Sequence, residues 1–276
     1  MNYFLPSALL ALTTFIAGCG GGSAEDNQQV SQVQVKSLAY GKLAVIQIAG
    51  QYLRVDMKAE TGLCKNPVFN AVQSVPELAV LNCTVTAVGE QPLTIKSTQG
   101  ETLYQGALTV PKPHVGLITS AGNITLELDP VAAPVTVNNF LSYVNNGYYR
   151  STLFHRIVAG FVTQGGGYIA GMTKKPGQLA PIALESNNGL FNTRGSLVMA
   201  RTAVPNSATS EFFINLVDNS SLNYQSEANP GYAVFGKVVQ GMDVVDAMGA
   251  TPTATFNGFA NVPVKDVTIN LALQTQ

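Results

Sequence analysis

Short apolar runs punctuated by Gly, Pro or Asn recur along most of this chain, and that rhythm points to a fold built mainly from β-strands. Leu43-Ala44-Val45-Ile46-Gln47-Ile48, Leu78 to Val85 and Leu103 to Val110 have the length and branched apolar content of strands. After the turn Ser120-Ala121-Gly122-Asn123, Ile124, Leu126 and Leu128 alternate with Thr125 and Glu127, which predicts a strand with one buried face. Helical spacing appears in two places. Pro134 suits a first helical turn, Val137, Phe140, Leu141 and Val144 fall at i, i+3, i+4 and i+7, and Gly147 supplies a stop. A shorter helix is expected over Met242 to Met248, ended by Gly249.

At 276 residues the chain has room for two modest domains at roughly 100–200 residues each. It opens on an apolar run from Tyr3 to Ile16 that leads into Ile16-Ala17-Gly18-Cys19, which resembles the lipobox of bacterial lipoproteins. The run contains Pro6 and falls short of the roughly 20 apolar residues that span a bilayer. Residues 1–18 therefore read as a lipoprotein signal peptide and Cys19 as the lipidated anchor. Residues 19–32, beginning Cys19-Gly20-Gly21-Gly22-Ser23 and continuing polar, read as a flexible tether, with structure expected from Val33. Residues 33–111 are expected to form a small β-sandwich-like domain. An immunoglobulin-like arrangement is one candidate, although the chain has no Trp to pack on a bridge. Pro111-Lys112-Pro113 makes a stiff link to a second domain over residues 113–276.

A formal net charge of -1 gives no electrostatic pull toward nucleic acid, which is excluded as an expected partner. With Cys19 taken as the anchor, Cys64 and Cys83 remain as a pair in an exported chain, and a disulfide is expected between them. Neither sits in a CxxC pattern and the histidines are His114 and His155 alone, so no metal or other cofactor is expected. HExxH, GxSxG and P-loop patterns are absent. Gly165 to Ala170 matches a relaxed dinucleotide fingerprint but lacks the amphipathic helix that should follow it.

The stretch Phe154-His155-Arg156-Ile157-Val158-Ala159-Gly160-Phe161-Val162-Thr163-Gln164-Gly165-Gly166 places a guanidinium, an apolar wall and an amide close together. That set suits a substrate needing a donor at its backbone and a dry surface for a ring. Three further blocks follow in order: Arg194 to Arg201, Asn206 to Asn215 and Val234 to Val245. Together the four resemble the cyclophilins, most nearly their bacterial branch, from about Val115 to the C-terminus. The resemblance implies a closed eight-stranded antiparallel β-barrel with two flanking helices. Side chains fill so small a barrel, so the site is expected on its outer face.

The resemblance also implies a peptidyl-prolyl cis-trans isomerase. Arg156 matches the catalytic arginine. Phe161, Val162, Phe213 and Leu222 match the residues lining the proline pocket, Gln164 the amide that holds the substrate backbone, and Ala200 and Arg201 the strand beside the preceding residue. Tyr232 matches a position that is histidine or aromatic in the family. His155, one residue from Arg156, is expected to be a satisfied structural histidine.

Three positions depart from the family pattern. Val162 shortens a wall usually formed by methionine, Ser221 stands where an aromatic residue often helps bind cyclosporin, and Glu211 replaces a common glutamine. Glu211 is expected to pair with Arg156 or Arg201. The expected partners are proline-containing segments of unfolded or flexible exported proteins, together with the membrane through the N-terminal lipid, and the chain is expected to act as a monomer. Its expected address is the periplasmic face of the bacterial outer membrane, with the cell surface and the inner membrane as the alternatives. The rival reading is a non-catalytic module that captures proline loops at the cell envelope.

Overall fold

A computed structural model describes residues 27–36 and 38–276. The signal segment and Cys19 lie outside the described residues. The chain divides into two compact units, one ending at Pro111 and the other beginning at Lys112.

The first unit contains β1 (Gln29–Val35), β2 (Leu43–Gln51), β3 (Lys58–Thr61), β4 (Val68–Phe69), β5 (Leu78–Thr84), β6 (Gly89–Lys96) and β7 (Thr102–Val110). They form two antiparallel sheets in the orders β1-β2-β5-β4 and β3-β6-β7. This is the strand order of a constant-type immunoglobulin sandwich. Ala44, Ile46 and Ile48 from β2 and Ala79 and Leu81 from β5 meet Leu93 and Ile95 from β6 in one aliphatic core. Each fully buried Ile or Leu contributes about 1.5–3 kcal/mol. The bridge joins Cys64 to Cys83 and closes a loop across 19 positions. It ties the segment after β3 to β5, and so does not occupy the β2-to-β6 position of the immunoglobulin bridge.

One boundary needs correction. Residues 29–32, assigned above to the tether, belong to β1, which pairs with β2 from Gln29↔Gln51 to Val35↔Ile46. A register shift between Val30 and Gln32 interrupts the alternation that would have marked this strand.

The second unit contains β8 (His114–Thr119), β9 (Gly122–Leu128), α1 (Pro134–Asn145), β10 (Thr152–Leu153), β11 (Arg156–Val158), β12 (Val162–Gly165), β13 (Tyr168–Ile169), β14 (Thr173–Lys174), β15 (Ser196–Met199), β16 (Phe212–Asn215), β17 (Val234–Gln240), α2 (Met242–Gly249), β18 (Thr253–Phe256), β19 (Phe259–Pro263) and β20 (Thr268–Gln274). Nine strands share one sheet in the order β10-β20-β8-β9-β17-β15-β16-β12-β11. Its two edges, β10 and β11, are separated in the chain by Phe154 and His155 alone. The sheet therefore curls until both edges meet in a single bent strand. Phe154 N–H donates to Val267 at 2.8 Å on one side, and Gly166 N–H donates to Leu153 at 3.2 Å on the other. With β10 and β11 counted as one, the nine become an eight-stranded antiparallel barrel without free edges.

Helix α1 packs Phe140 against the barrel, its ring centroid 5.2 Å from those of Tyr149 and Phe235 and 5.4 Å from that of Phe212. Ala133 cannot cap this helix with a side chain. Glu185 takes over, accepting from the amides of Val135 at 3.0 Å and Thr136 at 2.8 Å. The expected stop at Gly147 has φ +68 and follows the C-cap Asn146. Gly249, by contrast, lies within the last turn of α2 rather than after it. A Cβ there would sit 2.8 Å from a methyl of Leu216, so the glycine serves close packing rather than a left-handed turn.

Candidate active site

Register builds the site. Arg156 lies opposite Gln164, Gln164 opposite Phe213, and Phe213 opposite Val198, a row that crosses β11, β12, β16 and β15. Because side chains alternate along a strand, Val162 joins Gln164 on this face while Thr163, Ile214 and Leu197 point the other way, into the barrel. Both faces of these central strands are thereby buried.

Val162, Val198, Ala200, Phe213 and Val234 form an apolar cluster on the outer face, and Phe161, Leu190, Leu222 and Tyr232 pack against it. A cavity of about 250 Å³ opens there. It is lined by Arg156, Phe161, Val162, Gln164, Ala200, Arg201, Phe213, Leu222 and Tyr232, so the structure brings all nine expected barrel-site residues to one pocket. The floor is apolar: Val162 and Phe213 are buried, and the Phe213 and Tyr232 rings meet edge to face at 5.7 Å.

The loops that close the pocket are held by asparagines that sequence reading did not single out. Asn219 donates through Nδ2 to the Phe161 carbonyl at 3.0 Å and to Asn215 Oδ1 at 2.6 Å. Asn192 Nδ2 donates to the Leu222 carbonyl at 3.1 Å, and Tyr232 N–H donates to the same carbonyl at 2.9 Å. Leu190 was also missed, since it sits in an irregular segment with no period to mark it. Ser221 lies in the short 3-10 turn Ser220–Leu222 and is exposed.

The two pocket arginines differ. Arg201 donates from Nε to the Gly231 carbonyl at 2.8 Å and from Nη1 to the Thr202 carbonyl at 2.9 Å, and its guanidinium lies 4.6 Å from the Tyr232 ring centroid. It is committed to holding the wall. Arg156 donates from Nη1 to Gln164 Oε1 at 3.4 Å, and no carboxylate pairs with it among the described residues. Most of its five N–H donors remain open to the pocket.

Glu211 corrects the expected pairing. It meets neither arginine; its Oε2 accepts from Gln164 Nε2 at 2.9 Å and lies 3.3 Å from His155 Nε2. Burial works to raise the Glu211 pKa, but the hydrogen bond and charge of His155, the Gln164 amide and the Lys174 charge outweigh it and hold the carboxyl below its ordinary range. His155 is buried as expected but not fully satisfied, because Nδ1 has no hydrogen-bond partner among the described residues. Among those residues, no cluster of three or more His, Cys, Asp or Glu could hold a metal.

A family profile described as "Cyclophilin type peptidyl-prolyl cis-trans isomerase/CLD" matches residues 114–272. A peptidyl-prolyl cis-trans isomerase of Acinetobacter baylyi is 51% identical over 155 residues, which cover 56% of this chain and 81% of the relative. Peptidyl-prolyl cis-trans isomerase B of Escherichia coli is 48% identical over 153 residues, covering 55% and 93% respectively. Among solved structures, a cyclophilin-type isomerase of Cryptosporidium parvum superposes with a TM-score of 0.50 at 26% identity, over 60% of this chain and 98% of that one.

Proposed function

The chain belongs to the cyclophilin-type peptidyl-prolyl cis-trans isomerase family, and from that premise we propose that it assists the folding of exported proteins, with Arg156 stabilising the twisted prolyl amide. Rotation about an Xaa-Pro bond faces a barrier of ~18–20 kcal/mol because conjugation must be broken. As the bond twists, the proline nitrogen becomes pyramidal and its lone pair can accept a hydrogen bond that neither planar state accepts. A donor aimed at that nitrogen lowers the barrier selectively. No covalent bond is made.

The observation that carries this reading is the meeting of an apolar pocket floor with a guanidinium that no carboxylate pairs with among the described residues. Arg156 keeps open donors beside Phe161, Val162, Phe213 and Leu222, which offer the proline ring an apolar seat. Its planar fork addresses the nitrogen and the preceding carbonyl together. In this reading Gln164 holds the substrate backbone, and Ala200-Arg201, just after β15, flank the residue before proline. The proline-pocket wall is shorter at Val162 than a methionine would make it, which admits the ring without requiring a tighter grip.

Lipidation at Cys19, followed by residues 20–28 as spacer, would tether both units to the periplasmic face of the outer membrane. The clients are then unfolded or flexible exported chains, and a single copy of the protein suffices for turnover. The test is refolding of a proline-limited exported protein with the full chain at substoichiometric concentration. An isomerase shortens the slow phase catalytically. Retardation of refolding in proportion to added protein would instead mark a binding module. Metabolic labelling with palmitate, compared with Cys19→Ala, tests the anchor: label retained in the variant overturns it.

A further inference from the structure

Among the described residues, Glu211 is the one carboxylate that hydrogen-bonds to a polar side chain of the pocket, and the resemblance assigns it no role. Its side chain is 23% exposed and His155 beside it 6%. The carboxyl occupies a slot that exists because Gly167 has no side chain: a Cβ there would sit 2.5 Å from Glu211 Cγ and 2.6 Å from its carboxyl. The groups facing it are His155, preceding β11, Gln164 on β12, Tyr168 on β13 and Lys174 on β14.

We propose that Glu211 is a positioning residue for the isomerase, its carboxylate fixing which end of the Gln164 amide faces Arg156. An ionised carboxylate only accepts, so Gln164 must turn its NH2 toward Glu211, and its Oε1 is left to accept from Arg156 Nη1. The reverse orientation would set the NH2 against the guanidinium, donor against donor, and the amide oxygen against the carboxylate. Arg156 is thereby steered by a neutral oxygen rather than neutralised by a charge. Its remaining donors stay available to substrate. His155 and Lys174 help to keep the carboxyl ionised, which is the state the orientation requires.

The proposal rests on the reading of Arg156 as the donor, and it is tested on the full chain by peptide turnover and by the side-chain amide NMR signals of Gln164. Glu211→Leu removes the acceptor. Gly167→Ala fills the slot from the other side without touching the pocket, and Gly167 has no positive φ to strain. Each is expected to lower kcat about tenfold with little change in KM, and to move or broaden the Gln164 amide signals. Glu211→Gln keeps an oxygen acceptor but can also donate, so at neutral pH its kcat is expected to fall between those of Glu211→Leu and the wild type. The wild type is expected to lose kcat, with a matching shift of the Gln164 signals, as the pH falls through the lowered Glu211 range; Glu211→Gln should lack that acid limb. Folded Glu211→Leu and Gly167→Ala with wild-type kcat and unmoved Gln164 signals would overturn the proposal, as would identical acid limbs in wild type and Glu211→Gln. If Arg156→Ala kept full turnover, the donor reading would fall and the proposal with it, whereas Gln164 signals indifferent to Glu211 would remove the proposal alone.

Discussion

The sandwich and the barrel are both antiparallel β structures, but they bury their strands differently. In the sandwich, β2 alternates, with Ala44, Ile46 and Ile48 buried while the residues between them are partly exposed. One face meets the core and the other meets solvent, as expected of a two-layer fold. In the barrel, all four residues of β15 and all four of β16 are buried. The inner face fills the barrel and the outer face is roofed by loops carrying Phe161, Leu190, Leu222 and Tyr232. A barrel does not need that second burial to stand. Where a strand is covered on the side that closure leaves free, the covering makes a pocket.

The cores differ in the same spirit. The core of the second unit holds fully buried aromatics, among them Phe140, Tyr143, Tyr149, Phe154, Phe212 and Phe235, whereas the largest fully buried side chains of the sandwich are Ile46, Ile48, Leu63, Leu81, Leu93 and Ile95. A small aliphatic core gains more from a covalent staple.

The largest stability effect should therefore come from the barrel. Phe140→Ala removes a ring that touches three others and is expected to destabilise the second unit by about 3–5 kcal/mol, read as a shift of its denaturant transition. If the sandwich transition moved with it, the two units would not be separate in the sense drawn here. Replacing Cys64 and Cys83 by Ser should lower sandwich stability by about 3 kcal/mol and leave peptide turnover unchanged; a loss of turnover in that variant would break the division of labour. A smaller effect tests where the pocket wall ends. Exposed Ser221 offers cyclosporin little surface, so binding should be weak, and Ser221→Trp should tighten it about tenfold in a direct titration.

Acid sensitivity is the smallest expected effect and belongs to the barrel. Burial opposes the lowered pKa of Asp129, but Lys112 and the amides of Ala132 and Val131 outweigh it, as His155, Gln164 and Lys174 do for Glu211. Both carboxyls titrate lower folded than unfolded. Their contribution is present above the unfolded carboxylate range, about pH 4, and is lost as the pH falls through the lower folded values. Denaturant midpoints of the second unit should fall with acid, and those of Glu211→Gln should fall less steeply.

Much of the barrel and its pocket was legible because the residues that build them are also the ones with distinctive chemistry. Arg156, Gln164 and Phe213 stand out in apolar runs, and strand register then aligns them. What sequence hid has physical causes. The strand β1 carries Gln29, Gln32 and Gln34 and a register shift, so neither composition nor period announced it. The partner of Glu211 depended on a slot made by Gly167 and on the bend at His155, both matters of tertiary placement. Asn192, Asn215 and Asn219 carry no local signature, because apart from the Asn219–Asn215 bond the contacts that fix them join segments far apart in the chain.

The central claim is that the pocket turns prolyl bonds over rather than merely holding them, and that Arg156 does it. Exchange NMR on an Ala-Pro peptide with the full chain tests it most directly, comparing wild type with Arg156→Ala and Arg156→Lys at equal concentration. The account predicts fast cis–trans exchange in the wild type, a fall of about 10²–10³-fold in Arg156→Ala, and little recovery in Arg156→Lys, which restores charge without the fork. Peptide binding without exchange in folded wild type, or exchange indifferent to Arg156, would contradict it.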